Sequence, residues 1–324
     1  MVKLGIHVTK ASKVLDDKKP AKSLVKAIER ECDILPINAV QIFTYGPRNT
    51  KKNTLKYDQI MEYKDDNKID LSVHSCYASV SIWKVPTEHY KAKDKLVSEY
   101  PTDTPKQKAF DQTYRASIKL IEDQIKSCTK IGAWGLVLHI TKHPPETVAK
   151  VMKFLKFYAV KYDVKIILEM VSSKADGNTY ETPEKINNLT EMIESDSVND
   201  DNNDDETNTA DWWCWCVDTA HLHGAGIDIK SKDSMKKWLA GIKHKQLIGM
   251  FHLNGSSAVL GSGKDKHEIA FSKDDLIWKD VDVKKSGLYK VVKFCKKYEC
   301  TIICEINRGK EKDSKDLLDI INDI

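Results

Sequence analysis

The chain has 324 residues, 41% hydrophobic and 31% charged, with a formal net charge of +4. This is the balance of a folded globular protein and excludes a wholly disordered chain. No apolar run reaches the roughly 18 residues of a membrane span, so no membrane partner is expected.

The predicted elements alternate. A strand-like run, Leu4–Val8, is followed after Pro20 by a helical pattern over Ala21–Cys32, with Leu24, Val25 and Ile28 on one face. The runs Ala39–Thr44 and Leu71–Ser75 come next, then a helix over Phe110–Lys130 carrying Ile118, Ile121, Ile125 and Cys128. Leu136–Ile140 leads to a helix over Glu146–Val160, and Lys165–Met170, Trp213–Asp218, Leu247–Asn254 and Thr301–Asn307 complete eight runs before a last helix, Asp313–Ile324. The runs are continuously apolar, as strands buried on both faces are. Eight strand–helix alternations predict an α/β fold, a (β/α)8 TIM barrel forming a single domain over 1–324. An open dinucleotide-binding sheet would need a Gly-rich turn after the first strand, where the sequence reads Thr9-Lys10-Ala11-Ser12.

Two segments exceed ordinary connections. The first, 78–108, is a basic insertion; the second, 194–211, holds eight acids and no base and reads as a disordered loop. Without that loop the remainder carries +12, the difference between +4 and −8. A basic body suits a polyanionic partner such as nucleic acid, although a solvated lysine surface looks the same by charge alone. The eight cysteines form no CxxC pair and are expected to be free and mostly buried. With no signal-peptide pattern at Met1–Gly5, the expected compartment is intracellular and reducing.

In such barrels, chemistry sits at the C-terminal ends of the strands. Six consecutive runs end in a His, Asp or Glu: His74, His139, Glu169, Asp218 with His221, His252 with Asn254, and Glu305. The loop after the seventh run adds Asp265 and His267 around Lys266. One histidine at a strand end is most often a hydrogen-bonded core residue, and one carboxylate often caps a helix. Together they must converge on one small mouth, where four carboxylates repel unless cations neutralise them. Five histidines and four carboxylates are too many for one ion and suit two or three bridged divalent metals at the C-terminal face, an arrangement used for phosphoryl-ester hydrolysis.

These motifs resemble the endonuclease IV family of apurinic/apyrimidinic (AP) endonucleases. The matching pieces run in family order: Gly5-Ile6-His7-Val8, Gln41-Ile42-Phe43 with Pro47-Arg48, Val73-His74-Ser75-Cys76-Tyr77, Leu138-His139, Leu168-Glu169, Asp218-Thr219-Ala220-His221, His252-Leu253-Asn254, Asp265-Lys266-His267 and Cys304-Glu305. Gly261–His267 with Ile277-Trp278-Lys279 and Ser286-Gly287-Leu288-Tyr289 is similar to the branch of large DNA viruses. The resemblance implies three Zn2+ per chain, with Mn2+ able to replace part of the set. His74, His139 and Glu169 would hold one ion. Glu169 would bridge to a second held by Asp218, His252 and Glu305, and His221, Asp265 and His267 would hold the third. It implies Glu169 as the catalytic group of a DNA-repair hydrolase. The phosphodiester 5′ to an abasic site in double-stranded DNA would be cut, leaving a 3′-hydroxyl and a 5′-deoxyribose phosphate, with 3′-end trimming as a second activity. Arg48, Tyr77, Lys266 and Asn254 would contact DNA, with Lys266 standing where the family usually has arginine. The implied setting is cytoplasmic or nuclear, including a viral factory or virion, and the implied state a monomer without an obligate protein partner.

Three rival readings share the residues. A sugar isomerase or epimerase would need only Glu169, Asp218, His252 and Glu305 on one metal, leaving five residues idle. A UV-damage endonuclease would differ in substrate. A non-catalytic DNA-binding or virion scaffold would have no electrostatic reason to keep four convergent carboxylates.

Overall fold

The computed structural model describes residues 2–9, 21–48, 50–84, 105–140, 142–172, 179–195, 211–305 and 311–324. Eight parallel strands close a barrel in the order β1 (Lys3–Val8), β10 (Thr301–Cys304), β7 (Ile248–His252), β6 (Trp213–Asp218), β5 (Lys165–Met170), β4 (Gly135–Ile140), β3 (Asp70–His74) and β2 (Ala39–Phe43). Among the described residues, two further strands, β8 (Gly255–Ser256) and β9 (His267–Glu268), form a small antiparallel pair after β7. The barrel expected from the strand–helix alternation is therefore the observed fold.

The strand pleat splits the apolar residues into two separate cores. Outward-facing residues such as Ile42, Leu138, Leu168, Trp215 and Phe251 join the helices in the large core. A second cluster, Ala39, Val137, Ile167, Cys214, Cys216, Met250 and Ile303, fills the lumen. Side chains two residues apart on a strand share a face. The residues two positions beyond this plug, Gln41, His139, Glu169, Asp218, His252 and Glu305, therefore form the next layer up. Gly5 stands at the floor of that layer, where a Cβ would lie 1.9 Å from the Ala39 carbonyl oxygen. The apolar plug closes the lumen from below and leaves the polar layer facing the mouth.

Helices begin where caps satisfy their free N–H groups. Ser23 caps α1 (Leu24–Ile34), which therefore starts three residues later than the periodicity suggests. Next come α2 (Tyr57–Asp66), α3 (Pro105–Ile131) and α4 (Pro145–Tyr162). Thr182 caps α5 (Pro183–Glu194), with proline at its first position. Asp218 caps the short α6 (Thr219–Gly224). A reciprocal Ser231–Ser234 box opens α7 (Lys232–Gly241), and Ser286 caps α8 (Gly287–Tyr298) ahead of α9 (Glu311–Asp323).

Both ends of the 78–108 insertion are described. Tyr77–Lys84 is a 3₁₀ segment with Ile82 and Trp83 buried, and α3 already begins at Pro105. Its residues 85–104, and 196–210 of the acidic loop, lie outside the described residues. The seventh run stops at His252 rather than Asn254, because the Asn254 N–H leaves the ladder to donate to Thr219 Oγ1 at 2.8 Å. All eight cysteines are free and all but Cys32 are buried.

Candidate metal centre

Six of the eight barrel strands, β3 to β7 and β10, deliver a donor at or just after their C-terminal ends, and for His74 and His221 a hydrogen bond fixes which atom is presented. His74 donates Nδ1–H to the Ser75 carbonyl at 2.8 Å, leaving Nε2 to face Glu169 Oε2 at 3.2 Å. His139 Nε2 meets the same oxygen at 2.8 Å. Trp83 Nε1–H donates to the His139 carbonyl at 2.7 Å and ties the 3₁₀ segment to β4.

The Asp-x-x-His spacing has a direct structural cause. Asp218 Oδ1 accepts the His221 N–H at 2.8 Å as the α6 cap, so both side chains emerge from one helical turn. His221 Nδ1 donates to the Met170 carbonyl at 2.7 Å, which leaves Nε2 3.4 Å from both Asp265 Oδ1 and His267 Nε2. The β8–β9 pair brings His267 opposite Ser256, and Gly261 and Gly263 take left-handed φ values of +70° and +69° in the intervening loop. His267 then lies 2.9 Å from Asp265 Oδ1 through Nε2 and 3.1 Å from Glu305 Oε2 through Nδ1. His252 Nδ1 is 3.0 Å from Glu169 Oε1 and 3.7 Å from Glu305 Oε2.

The nine residues read as ligands thus converge, and four donor groups stand with ligand atoms within 4.8 Å of one another. They are His74–His139–Glu169, Asp218–His252–Glu305, Asp218–His221–His267 and Glu169–Cys216–His252. Two differences from the sequence reading stand out. Asp218 lies with the His221–His267 pair as well as with His252, and Cys216 joins the cluster. The signal for Cys216 was its place two residues before Asp218, on the same face of β6.

The donor set fits divalent cations. Glu169 Oε2 is buried and has no hydrogen-bond partner, although two imidazole Nε2 atoms approach it. A buried carboxylate oxygen met by two imidazole nitrogens at this range is satisfied either by their protons or by a cation held between them. The electrostatics agree. Burial alone would raise Glu169, but His139 and His252 beside it hold the carboxyl well below the usual range. Burial likewise opposes the charged form of His221, yet Asp218, Asp265 and Glu169 push it up to about 9. Such opposed shifts mark a site built for charge.

The residues read as DNA contacts divide. Arg48, Tyr77 and Lys266 are exposed at the mouth. The Tyr77 ring lies 5.4 Å from that of His139, and its hydroxyl is pushed up to about 12 by burial and by Glu305, Asp265 and Glu169. Asn254 is only 2% exposed. Its Nδ2 donates to Asp218 Oδ2 at 2.7 Å and to Glu305 Oε2 at 3.3 Å, and its Oδ1 accepts the Glu305 N–H at 2.9 Å. This places Asn254 between two carboxylates of the centre, away from the surface expected of a DNA contact.

Barrel and site together define an α/β-barrel protein with a mouth of histidines and carboxylates suited to several metal ions. The chain belongs to the xylose isomerase-like TIM barrel family, which it matches over residues 33–324. It is 28% identical over 283 residues to the "Probable AP endonuclease" of African swine fever virus (isolate Tick/Malawi/Lil 20-1/1983), covering 85% of this chain and 80% of that protein. It is 24% identical over 324 residues to the "Probable endonuclease 4" of Nitrosopumilus maritimus (strain SCM1), covering 96% of each. The AsfvAP:AG crystal structure shares the fold with a TM-score of 0.71 at 22% identity, over 98% of this chain and 95% of that one. The resemblance to the endonuclease IV family, and to its viral members, is borne out by these relatives. Among the described residues, no helix is long and apolar enough to cross a membrane.

Proposed function

We propose that the chain is a zinc-dependent AP endonuclease of the endonuclease IV type, acting on double-stranded DNA in base excision repair. The observation that carries this reading is Glu169. A single buried carboxylate directs one oxygen at His74 and His139 and the other at His252, the placement of a bridge between two ions. A one-metal sugar isomerase gives no role to His74, His139, His221, Asp265 or His267, all of which face the same mouth.

His74, His139 and Glu169 would hold one zinc, Glu169, Asp218, His252 and Glu305 the second, and His221, Asp265 and His267 the third. Bound there, the ions would supply an activated water and neutralise charge on the phosphate. The chain's own residues do the rest. Glu169 and Asp218 keep the floor anionic and fixed, and Asn254 holds Asp218 and Glu305 in place. Tyr77 and Arg48 stand at the rim, where they fill the gap left by the missing base; extrusion is easiest where nothing pairs or stacks. Water adds to phosphorus as the bond to the 3′ oxygen breaks, and that oxygen leaves as a hydroxyl. The products are a 3′-hydroxyl and a 5′-deoxyribose phosphate, and the same centre would trim 3′-blocked ends. A monomer suffices, since every ligand comes from one chain.

The test is incision of a duplex with one tetrahydrofuran abasic analogue, which cannot undergo β-elimination. Cutting on the 5′ side to leave a 3′-hydroxyl, abolished in Glu169→Gln, is the expected result. No cutting by folded, zinc-loaded protein would overturn the reading.

A further inference from the structure

We propose that Gln41 is a positioning residue that locks His252 into its metal-binding tautomer and is itself locked by His7. The proposal rests on the metal-centre reading above.

His7 and Gln41 are register partners on β1 and β2, so their side chains share the lumen face. Gln41 is fully buried. Its Nε2 lies 3.2 Å from His7 Nδ1, and its Oε1 lies 3.1 Å from His252 Nε2. A carboxamide has one donating and one accepting end, so its orientation couples the two rings. If His252 Nδ1 is to hold a cation beside Glu169, its proton must sit on Nε2, and that N–H needs an acceptor. Gln41 Oε1 is the acceptor present. The amide N–H then points at His7 Nδ1, which must be bare, placing the His7 proton on Nε2. Flipping the amide reverses everything. His252 would carry its proton on Nδ1, against Glu169 Oε1 at 3.0 Å, and the ligand lone pair would be lost. The three residues therefore have two collective states, of which one binds metal. Outer-shell partners of this kind orient ligand imidazoles.

The experiment measures zinc per chain against a graded chelator, together with histidine 15N–1H correlation spectra that show which ring nitrogen is protonated. Wild-type protein should show Nε2–H tautomers at His7 and His252. Gln41→Leu should release one zinc about 10–100-fold more readily, a range typical of lost outer-shell partners, while the other ions stay. His7→Leu should weaken the same ion, and His7→Asn, whose amide oxygen can replace the bare Nδ1, should restore it. Wild-type chelator resistance in folded Gln41→Leu, or an Nδ1–H tautomer at His252 in the loaded wild type, would overturn the lock alone. A wild-type chain without bound metal would overturn the metal-centre reading and the lock together. Should Gln41→Leu fail to fold, the wild-type tautomer decides.

Discussion

The backbone N–H of Tyr77 donates to the carbonyl of Pro47 at 2.8 Å, stitching the loop after β3 to the loop after β2. Arg48 follows Pro47 directly, so the two exposed rim side chains stand on loops joined by a backbone hydrogen bond. From the other side, α3 fixes the Tyr77 turn. Gln124 Oε1 accepts the Cys76 N–H at 3.0 Å, and its Nε2 donates to Ser79 Oγ at 2.8 Å. Base–aromatic stacking is worth about 1–3 kcal/mol per base. Tyr77→Ala should therefore weaken binding to an abasic duplex by roughly 5–150-fold. Arg48→Ala should weaken it as well, and the double variant by less than the product, because neighbouring sites couple. Anisotropy titrations check the affinities, and unchanged zinc content separates rim loss from damage to the centre.

The metal-free mouth should be pH-sensitive in a defined direction. His221 is raised from about 6.5 to about 9 by Asp218, Asp265 and Glu169 against the opposing effect of burial. A raised histidine contributes stability that is fully present below the unfolded value of about 6.5 and is lost as pH rises through about 9. Melting temperature of the stripped chain should therefore fall between those pH values. Metal binding needs the bare Nε2, so zinc affinity should rise over the same interval and loading at pH 7 should release protons. Melting curves of stripped and loaded protein, with proton release in weakly buffered solution, check both parts. A stripped chain whose melting point climbs from pH 6.5 to 9 contradicts the assignment.

The loop beyond the β8–β9 pair is held by one buried carboxylate. Asp275 is fully buried and its carboxylate accepts four backbone N–H groups. Oδ1 takes those of Ser256 at 3.1 Å and Ile277 at 2.9 Å, and Oδ2 those of Phe271 at 2.9 Å and Trp278 at 3.1 Å. Asp275→Asn turns one acceptor into a donor facing two N–H groups. An unsatisfied buried group costs about 1–3 kcal/mol. Denaturant unfolding should lose about that much stability or more, and an ion bound at Asp265 and His267 should exchange first.

The barrel was legible because continuously apolar runs alternate with helical patterns, and the site because polar residues end those runs. His139 after Leu136-Val137-Leu138 is conspicuous wherever the chain is buried on both faces. The two-layer lumen was not, since Ile167 and Leu168 look alike in sequence although one faces the plug and the other the helices. Helix α5 was obscured by Asn187 and Thr190, polar residues buried on its inner face, yet Thr182-Pro183 announces its start. The loop after β7 gave no sign of its anchor: Asp275 sits beside Lys273 and Asp274, and nothing local distinguishes a carboxylate that staples four N–H groups from a solvated one. The contacts of Gln41 and Cys216 with His252 were hidden for a related reason. A polar residue inside an apolar strand is unremarkable until closure of the barrel sets it against His252, 211 residues away for Gln41.

Asn254 separates two roles that sequence alone cannot. As a DNA contact, its loss would lower duplex affinity and leave the metal untouched. The structure instead turns its amide donor between Asp218 and Glu305, so Asn254→Asp would set a third carboxylate against two others in a buried site. Like charges that close raise one another's pKa or expel a partner. Asn254→Asp should therefore weaken ion binding at Asp218, His252 and Glu305 and reduce incision about 10–100-fold, the range of lost outer-shell partners. Asn254→Ala should do so less severely, removing the donor without adding charge. Zinc stoichiometry against chelator reads the first effect and turnover the second. Full zinc content in both variants, with weakened DNA affinity, would instead place Asn254 at the DNA surface.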